Sequence, residues 1–353
     1  MSKAAICVVV PVYKAMATLD RCVESVLAQQ VEGGLTCILV DDGSPDESGA
    51  LCDAWATKDD RVTVIHQDDL GVSGARNSGL AAADSEFIVF LDSDDALRPG
   101  ALQAALTAQR AAPQDFVVWH YTTDEKDPAA VTADAEPRTQ ARLARLWLDC
   151  LLAMPWNKLY RADLAKQLQF DVQYTLGEDL QFVLDYIALL GQTVPEFGYR
   201  VMTSPLTFYD CSRGGTLSTR YHANYCDIWP KHFAKLNAAC HAAACPAEDM
   251  RPLHRAELQV FAEGVADIMR RDPSPTQRLK GYKAAAALRS PWLRALLERM
   301  KIEHCYSAYY LPCRWRNVGL VCRVDEARRA NAPLYGKLDW AGYYLLLGRM
   351  RRD

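Results

Sequence analysis

Phe87-Ile88-Val89-Phe90-Leu91-Asp92-Ser93-Asp94-Asp95 is the stretch that decides the fold. Five apolar residues rich in Val, Ile and Phe describe a buried strand. The run stops in three carboxylates within four residues. Acids so close at a strand's carboxyl end repel one another unless a positive group sits among them. A hard divalent cation with oxygen ligands, itself holding phosphate oxygens, supplies that charge. For an isolated Asp-x-Asp a solvated acidic turn is the usual explanation, so the rest of the chain has to discriminate.

Working outward, strands alternate with helices. Ala4–Val10, Thr36–Val40, Val62–His66 and Phe116–His120 are the other expected strands. Leu19, Cys22, Val23, Val26 and Leu27 fall at helical spacing behind Thr18, an expected cap. Ser44 and Glu47 form a capping-box pattern with Pro45 at the first helical position, predicting a helix from there. Gly71–Gly79 reads as a glycine-punctuated turn into a short helix, and Pro99–Arg110 as a helix. Thr122–Pro137 reads as an exposed loop, Arg138–Met154 as helical, and Gly177-Glu178-Asp179 as the opening of a helix through Leu190. Val194–Tyr209 supplies strand pieces that complete the sheet. The expectation is an α/β domain over residues 1–220, a mostly parallel sheet with helices on both faces. In such sheets ligands bind beyond the carboxyl ends of the strands, and Asp41-Asp42, Gly71–Gly79 and Asp92–Asp95 all fall there.

Composition sets outer bounds. The chain has 353 residues, 50% hydrophobic and 24% charged, which is globular, and its net charge of -4 offers nucleic acid no general attraction. No segment reaches the length of an uninterrupted membrane span, and Met1–Val10 lacks a cleavage site. Twelve cysteines without a CxxC pair predict reduced thiols in a cytoplasmic protein. Residues 221–353 read as Pro-separated helices over Tyr221–Cys245, Arg251–Arg271 and Gln277–His304. Tyr306–Asp353 interleaves Tyr, Trp and Leu with Arg, which peripheral attachment to a membrane surface, a packed helix and a dimer contact each explain. Oligomeric state is not legible.

In order, Val9-Val10-Pro11-Val12-Tyr13, Val40-Asp41-Asp42-Gly43-Ser44, Gly74-Ala75-Arg76-Asn77-Ser78-Gly79, Leu91-Asp92-Ser93-Asp94-Asp95, Trp156-Asn157-Lys158 and Gly177-Glu178-Asp179 run through about three-fifths of the chain. With these six motifs the chain resembles the family-2 glycosyltransferases of GT-A fold, in particular the bacterial enzymes that build capsule, lipopolysaccharide and exopolysaccharide. The resemblance implies inverting transfer of a sugar from a nucleotide-diphosphate donor, UDP on family grounds, to a glycan or lipid-linked hydroxyl. It also implies Mn²⁺ or Mg²⁺ as cofactor, and places such an enzyme in the cytoplasm or on the inner face of the plasma membrane.

The same resemblance distributes roles. Asp94 would ligate the metal, with Asp92 on the ribose or reaching the metal through water, and Ser93 between them would contact the donor nucleotide. Asp95 would meet the donor sugar or cap the following helix. Asp41 and Asp42 look like base-reading acids or turn formers, Pro11 holds the strand end open, and Tyr13 stacks on the base or fills core. Arg76 would hold the diphosphate or pair with an acid of the rim. Asp179 matches the general base and Glu178 its neighbour on the acceptor side, although acids at a helix start also serve as caps. Trp156 would wall the sugar pocket or pack in the core, and Lys158 support its loop. Arg213 sits in a Gly-flanked segment suited to a lid over the diphosphate, and His222 is either an extra ligand or a surface residue. Two rival readings are a nucleotidyltransferase, disfavoured because Pro11-Val12-Tyr13-Lys14-Ala15 is no triphosphate loop, and an inactive nucleotide- or carbohydrate-binding scaffold. A Rossmann dehydrogenase is disfavoured because no GxGxxG follows the first strand.

Overall fold

The computed structural model describes residues 3–174, 176–212, 220–332 and 335. The chain divides into two compact units, Met1–Gly214 and Gly215–Asp353. In the first, elements follow in the order β1 (Ala4–Val12), α1 (Leu19–Leu27), β2 (Leu35–Asp42), α2 (Ser48–Lys58), β3 (Val62–Gln67), α3 (Gly71–Ala82) and β4 (Ser85–Phe90). There follow β5 (Ala96–Leu97), α4 (Ala101–Ala111), β6 (Phe116–Thr122), β7 (Ala135–Thr139), α5 (Leu143–Leu148), β8 (Lys158–Arg161), α6 (Ala162–Ala165), α7 (Glu178–Thr193) and β9 (Gly198–Phe208).

One sheet of nine strands runs β3-β2-β1-β4-β8-β6-β9-β5, with β7 added on β9. The first four strands of that order are parallel, as the βαβ rhythm requires. β1 is buried along its whole length after Ala4, the composition of a central strand covered on both faces. Polarity reverses at β8, which runs antiparallel to both β4 and β6, and only the β6–β9 pair is parallel beyond it. The sheet is therefore parallel in its N-terminal half and mixed in the other. Val12 pairs with Asp41, Asp41 with His66, and Leu91 N–H donates to Val9 O at 3.0 Å. Register thus brings Asp41, Asp42 and the Asp92–Asp95 turn to the same edge.

Five local expectations are corrected. The helix expected from Ser44 begins at Ser48, because Ser44 is used by the preceding turn: its N–H donates to Asp41 Oδ1 (3.2 Å) and its Oγ accepts from Lys14 N–H (3.3 Å). Thr18 precedes α1 but donates its hydroxyl to Ala15 O and caps nothing. Gly71–Gly79 is helix throughout: Gly71 opens it at a left-handed φ of 77°, while Gly74 and Gly79 are there for packing. A Cβ on Gly79 would stand 2.3 Å from Val9 Cγ1, and one on Gly74 2.5 Å from Leu70 Cβ. Finally, the segment read as a loop ends in β7, a short polar edge strand carrying Pro137, and the helix expected over Arg138–Met154 shrinks to a 3₁₀ turn and α5.

The second unit is helical among its described residues: α8 (Tyr225–Ala242), α9 (Ala247–Arg271), α10 (Gln277–Ala287), α11 (Pro291–Ile302), α12 (Tyr310–Arg314) and α13 (Val318–Arg329). Its core joins Leu258, Phe261 and Val265 to Leu293, Leu297 and Met300, closed by Tyr306, Tyr309 and Tyr310. Those tyrosines are buried and so give no face to a membrane surface, whereas Trp315 is exposed. The remainder of the aromatic-basic tail, Pro333, Leu334 and everything from Gly336 on, lies outside the described residues. No described helix is long and apolar enough to cross a membrane. Among the described residues, none of the twelve cysteines forms a disulfide.

Gly79→Ala should lower the denaturant midpoint of the first unit by the equivalent of about 1–3 kcal/mol, since α3 must lift off Val9. Urea unfolding followed by far-UV circular dichroism measures it; an unchanged midpoint would show that the helix–strand approach is not tight.

Candidate active site

At the sheet edge the acids are organised by one buried cation. Arg76 projects from α3 and is 3% exposed. Its Nη1 donates to Asp179 Oδ1 at 2.6 Å and its Nη2 to Asp92 Oδ1 at 2.8 Å, while Glu178 Oε1 stands 4.0 Å from Nη1. The guanidinium lies against the Phe170 ring, 5.4 Å from its centroid. Burial disfavours its charge, but Asp179, Asp92 and Glu178 more than compensate, and its pKa moves up. Asp92 comes from the end of β4, and Glu178 and Asp179 from the first turn of α7, where N-terminal amides favour carboxylates. Segments some ninety residues apart therefore meet on one side chain. Each aspartate gives Arg76 one oxygen and stays partly open, 29% for Asp92 and 28% for Asp179.

Asp179 is held up to about 7: burial raises it most, Arg76 opposes, and Glu178 and Asp92 add to the rise. Asp95 is fully buried and its pKa is pushed to about 9, by burial first and then by the Asp92 charge. Its Oδ1 accepts from Asp210 N–H at 3.0 Å, and its Oδ2 is buried without a partner. Arg21 of α1 secures the same turn. Its Nη2 reaches Asp94 O at 2.5 Å and Asp210 Oδ2 at 2.7 Å, and its guanidinium covers the Phe208 ring. Ser212 and Arg21 hold Asp210 down at about 2.

Asp41 and Asp42 are both buried at the end of β2 but are engaged differently. Asp41 uses both oxygens, Oδ1 toward Ser44 N–H and Oδ2 toward His66 Nδ1 (3.0 Å). Burial opposes its charge, yet the Ser44 and His66 hydrogen bonds win and lower its pKa. Asp42 takes Gln67 Nε2 (2.6 Å) and Leu70 N–H (3.0 Å) on Oδ1 alone, which leaves Oδ2 available. Pro11 is buried within β1; Tyr13, just past it, is 43% exposed with Lys14 over its ring.

Trp156 is buried, stacked on Tyr209 (5.4 Å) and met edge-on by Tyr121 (5.3 Å). Lys158 is wholly buried, and its ammonium donates to Leu151 O, Met154 O and Asn157 Oδ1. Those three acceptors use its donors within the loop, and burial drives its pKa well down. Ser93 is half-buried in the acidic turn, and His222 is half-buried in the second unit. Arg213 lies outside the described residues. Sequence reasoning missed Arg21, Gln67, His66 and Asp210. Gln67 and His66 were detectable as polar residues ending a strand beside Asp41-Asp42, whereas nothing local marks Arg21.

The carboxylates of the acidic turn are of the oxygen type a hard divalent cation takes. Arg76 answers for Asp92 and a buried carboxylate oxygen of Asp95 is unmatched, but among the described residues the Asp92, Asp94 and Asp95 oxygens do not gather into one ligand set. In the second unit, His254, Glu303 and Cys305 form a separate cluster of metal-ligand types.

Residues 7–169 match the family described as Glycosyl transferase family 2. The uncharacterized glycosyltransferase YibD of Escherichia coli is 31% identical over 236 residues, 63% of this chain and 68% of that protein. Streptococcus pneumoniae and Bacillus subtilis glycosyltransferases match at 30–39% identity, and the chain spans only 41–54% of their length. Among solved structures, Staphylococcus aureus TarS 1–349 in complex with UDP-GlcNAc shares the fold at a TM-score of 0.61 and 17% identity, covering 93% of this chain and 92% of that one. The mannosyltransferase PcManGT of Pyrobaculum calidifontis, in complex with GDP-Man and Mn²⁺, does so at 0.50 and 17%, covering 90% and 87%. Acids gathered on Arg76 at the carboxyl edge of a GT-A sheet, with that sequence kinship, make the chain a member of glycosyl transferase family 2.

Proposed function

We propose that the protein is an inverting glycosyltransferase that moves a sugar from a UDP-sugar to a hydroxyl of a glycan or lipid-linked acceptor. Its setting would be cell-surface polysaccharide synthesis on the cytoplasmic side of the membrane. The observation that carries this reading is Arg76 bridging Asp92 and Asp179, so that the acid assigned to the donor and the acid assigned to the acceptor share one guanidinium. TarS in complex with UDP-GlcNAc, and the bacterial relatives, support the donor class and the setting.

Asp42 would read the base, its Oδ2 accepting the ring N–H of uracil while Gln67 and Leu70 fix Oδ1. Asp41, saturated by Ser44 and His66, shapes the turn. Tyr13 is exposed at the neighbouring strand end for stacking on the base. Asp94 and Asp92 would hold a Mn²⁺ or Mg²⁺ ion, which neutralises charge on a diphosphate leaving group. Asp179 would take the acceptor hydroxyl's proton on its open oxygen while Arg76 fixes the other. Arg76, already shared by two carboxylates, serves as a positioning residue rather than a diphosphate ligand. Trp156 and Lys158 stiffen the loop behind the site.

Asp179 titrates near 7, so its basic form is lost as pH falls through that value. For the wild type, log kcat/KM against pH should be flat above about 7 and fall with unit slope below it. Asp179→Asn should cut kcat by about 10²–10⁴ and leave UDP-sugar binding intact; full turnover in this variant would remove Asp179 from the chemistry.

Arg76→Met removes the charge that lowers Asp179 and leaves two carboxylates facing each other. Its acidic limb should move to higher pH, and stability should drop by about 3 kcal/mol, the low end for a broken buried pair because both acids keep some solvent. Urea unfolding and a pH profile measure the two effects. A limb that does not move would mean the guanidinium has no say in the base.

UDP with Mn²⁺ should raise Tm more than UDP alone, and Asp94→Ala should erase the metal-dependent increment. Absence of any shift with UDP, GDP, CDP or TDP, with or without Mn²⁺, would overturn the donor-site reading.

A further inference from the structure

The helical unit buries a polar network that donor chemistry does not use. His254, fully buried on α9, places Nδ1 2.6 Å from Glu303 Oε2, and Cys305 Sγ lies 3.6 Å from the same oxygen. Glu303 ends α11 and Cys305 follows two residues later. Between them His304 takes a left-handed φ of 54°, and Cys305 N–H returns to Met300 O at 3.0 Å. That reversal turns the Glu303 and Cys305 side chains toward α9. Imidazole, carboxylate and thiol ligand atoms all fall within 4.8 Å of one another.

We infer that His254, Glu303 and Cys305 form a zinc-binding site, with the fourth position open to water. One thiolate, one imidazole and one carboxylate are ligands zinc accepts in tetrahedral geometry, while Mg²⁺ and Ca²⁺ require oxygen. The remaining imidazole nitrogen is prepared for the role. His254 Nε2 has an acceptor, Asn237 Oδ1, at 3.2 Å and a donor, Arg299 Nη1, at 3.3 Å. Either neutral tautomer is therefore satisfied. Without metal, Nδ1–H donates to Glu303 and Nε2 accepts from Arg299. With metal, the proton sits on Nε2 and is accepted by Asn237, which frees the Nδ1 lone pair. Asn237 is itself anchored by donating to the buried Glu257 (2.7 Å). An acceptor behind a ligating imidazole is the usual support of a metal site.

Zinc uptake then replaces the thiol proton of Cys305, which leaves to solvent, with a Zn–S bond, while the imidazole proton changes nitrogen. Tetrahedral bonds of the usual length put N and O ligands about 3.3 Å apart, so Glu303 must draw back from His254. Its side chain is 29% exposed and has that freedom. The bound ion would tie α9 to the turn after α11.

The test titrates chelator-stripped full-length protein with Co²⁺ as a spectroscopic stand-in. A thiolate-to-cobalt charge-transfer band should grow and saturate at one equivalent, and Zn²⁺ should bleach it. Cobalt at the oxygen-lined Asp92–Asp95 turn gives no such band, so the outcome is independent of the donor-site reading. Cys305→Ser should abolish the band, His254→Gln should weaken binding at least tenfold, and Asn237→Ala should weaken it by about 10–100-fold. Absence of the band in the folded wild type, or its persistence in Cys305→Ser, overturns the site.

Discussion

A guanidinium out of water is costly unless its charge is met, and the first unit meets that of Arg76 with carboxylates from two distant segments. Because the pair is shared, no element can move alone. If the start of α7 shifts, Arg76 loses Asp179; if the β4 turn shifts, it loses Asp92. A lysine would not serve, since its compact ammonium lacks the planar fork that sends two N–H donors to two separate acceptors. The position of the fork is set in turn by α3, whose Gly79 brings the helix against Val9 in the central strand. The chain of cause runs from a missing side chain, to a close helix–strand approach, to the placing of a cation, to the placing of two acids.

Those acids do not behave alike, and environment separates them. Asp41 and Asp210 each receive hydrogen bonds that favour the anion, and both are held low. Asp95 and Asp179 are dominated by burial and by neighbouring negative charge, and both rise. Proton-transfer chemistry near neutrality needs a group whose pKa lies near the working pH, and among these four Asp179 meets that condition at about 7. Asp95, pushed to about 9 by burial and by the Asp92 charge, lies above that range, and one of its oxygens is buried without a partner. The separation comes from depth and partners, not from residue type.

How much of this was legible beforehand follows the range of the interactions. Strand periods and their acidic ends are local, so the β-strands of the parallel half and their common edge could be read from the chain. The six ordered motifs carried the family for the same reason. Ser44 misled because a capping box is a local pattern, whereas its actual partners, Lys14 and Asp41, are a tertiary matter. The Gly71–Gly79 helix was obscured because glycine normally argues against helix, and only the contact with Val9 gives it a purpose. Arg76 was named with two roles, diphosphate ligand and rim partner, and only coordinates bring Asp92 and Asp179 within its reach. Tyr309 and Tyr310 were read beside a membrane-surface pattern, yet they fill the helical core, since an aromatic-basic rhythm does not say which way a helix faces.

The acidic turn is also fixed from its far side. Arg21 holds the Asp94 carbonyl and the Asp210 carboxylate, while Asp210 returns its own N–H to Asp95. Cys22, next along α1, adds its thiol to Asp92 O at 3.6 Å. The turn is thus gripped through main-chain atoms by α1 and through the Asp92 side chain by α3. Asp210 stands two residues beyond the end of β9, and its N–H ties that end of the strand to the Asp95 carboxylate.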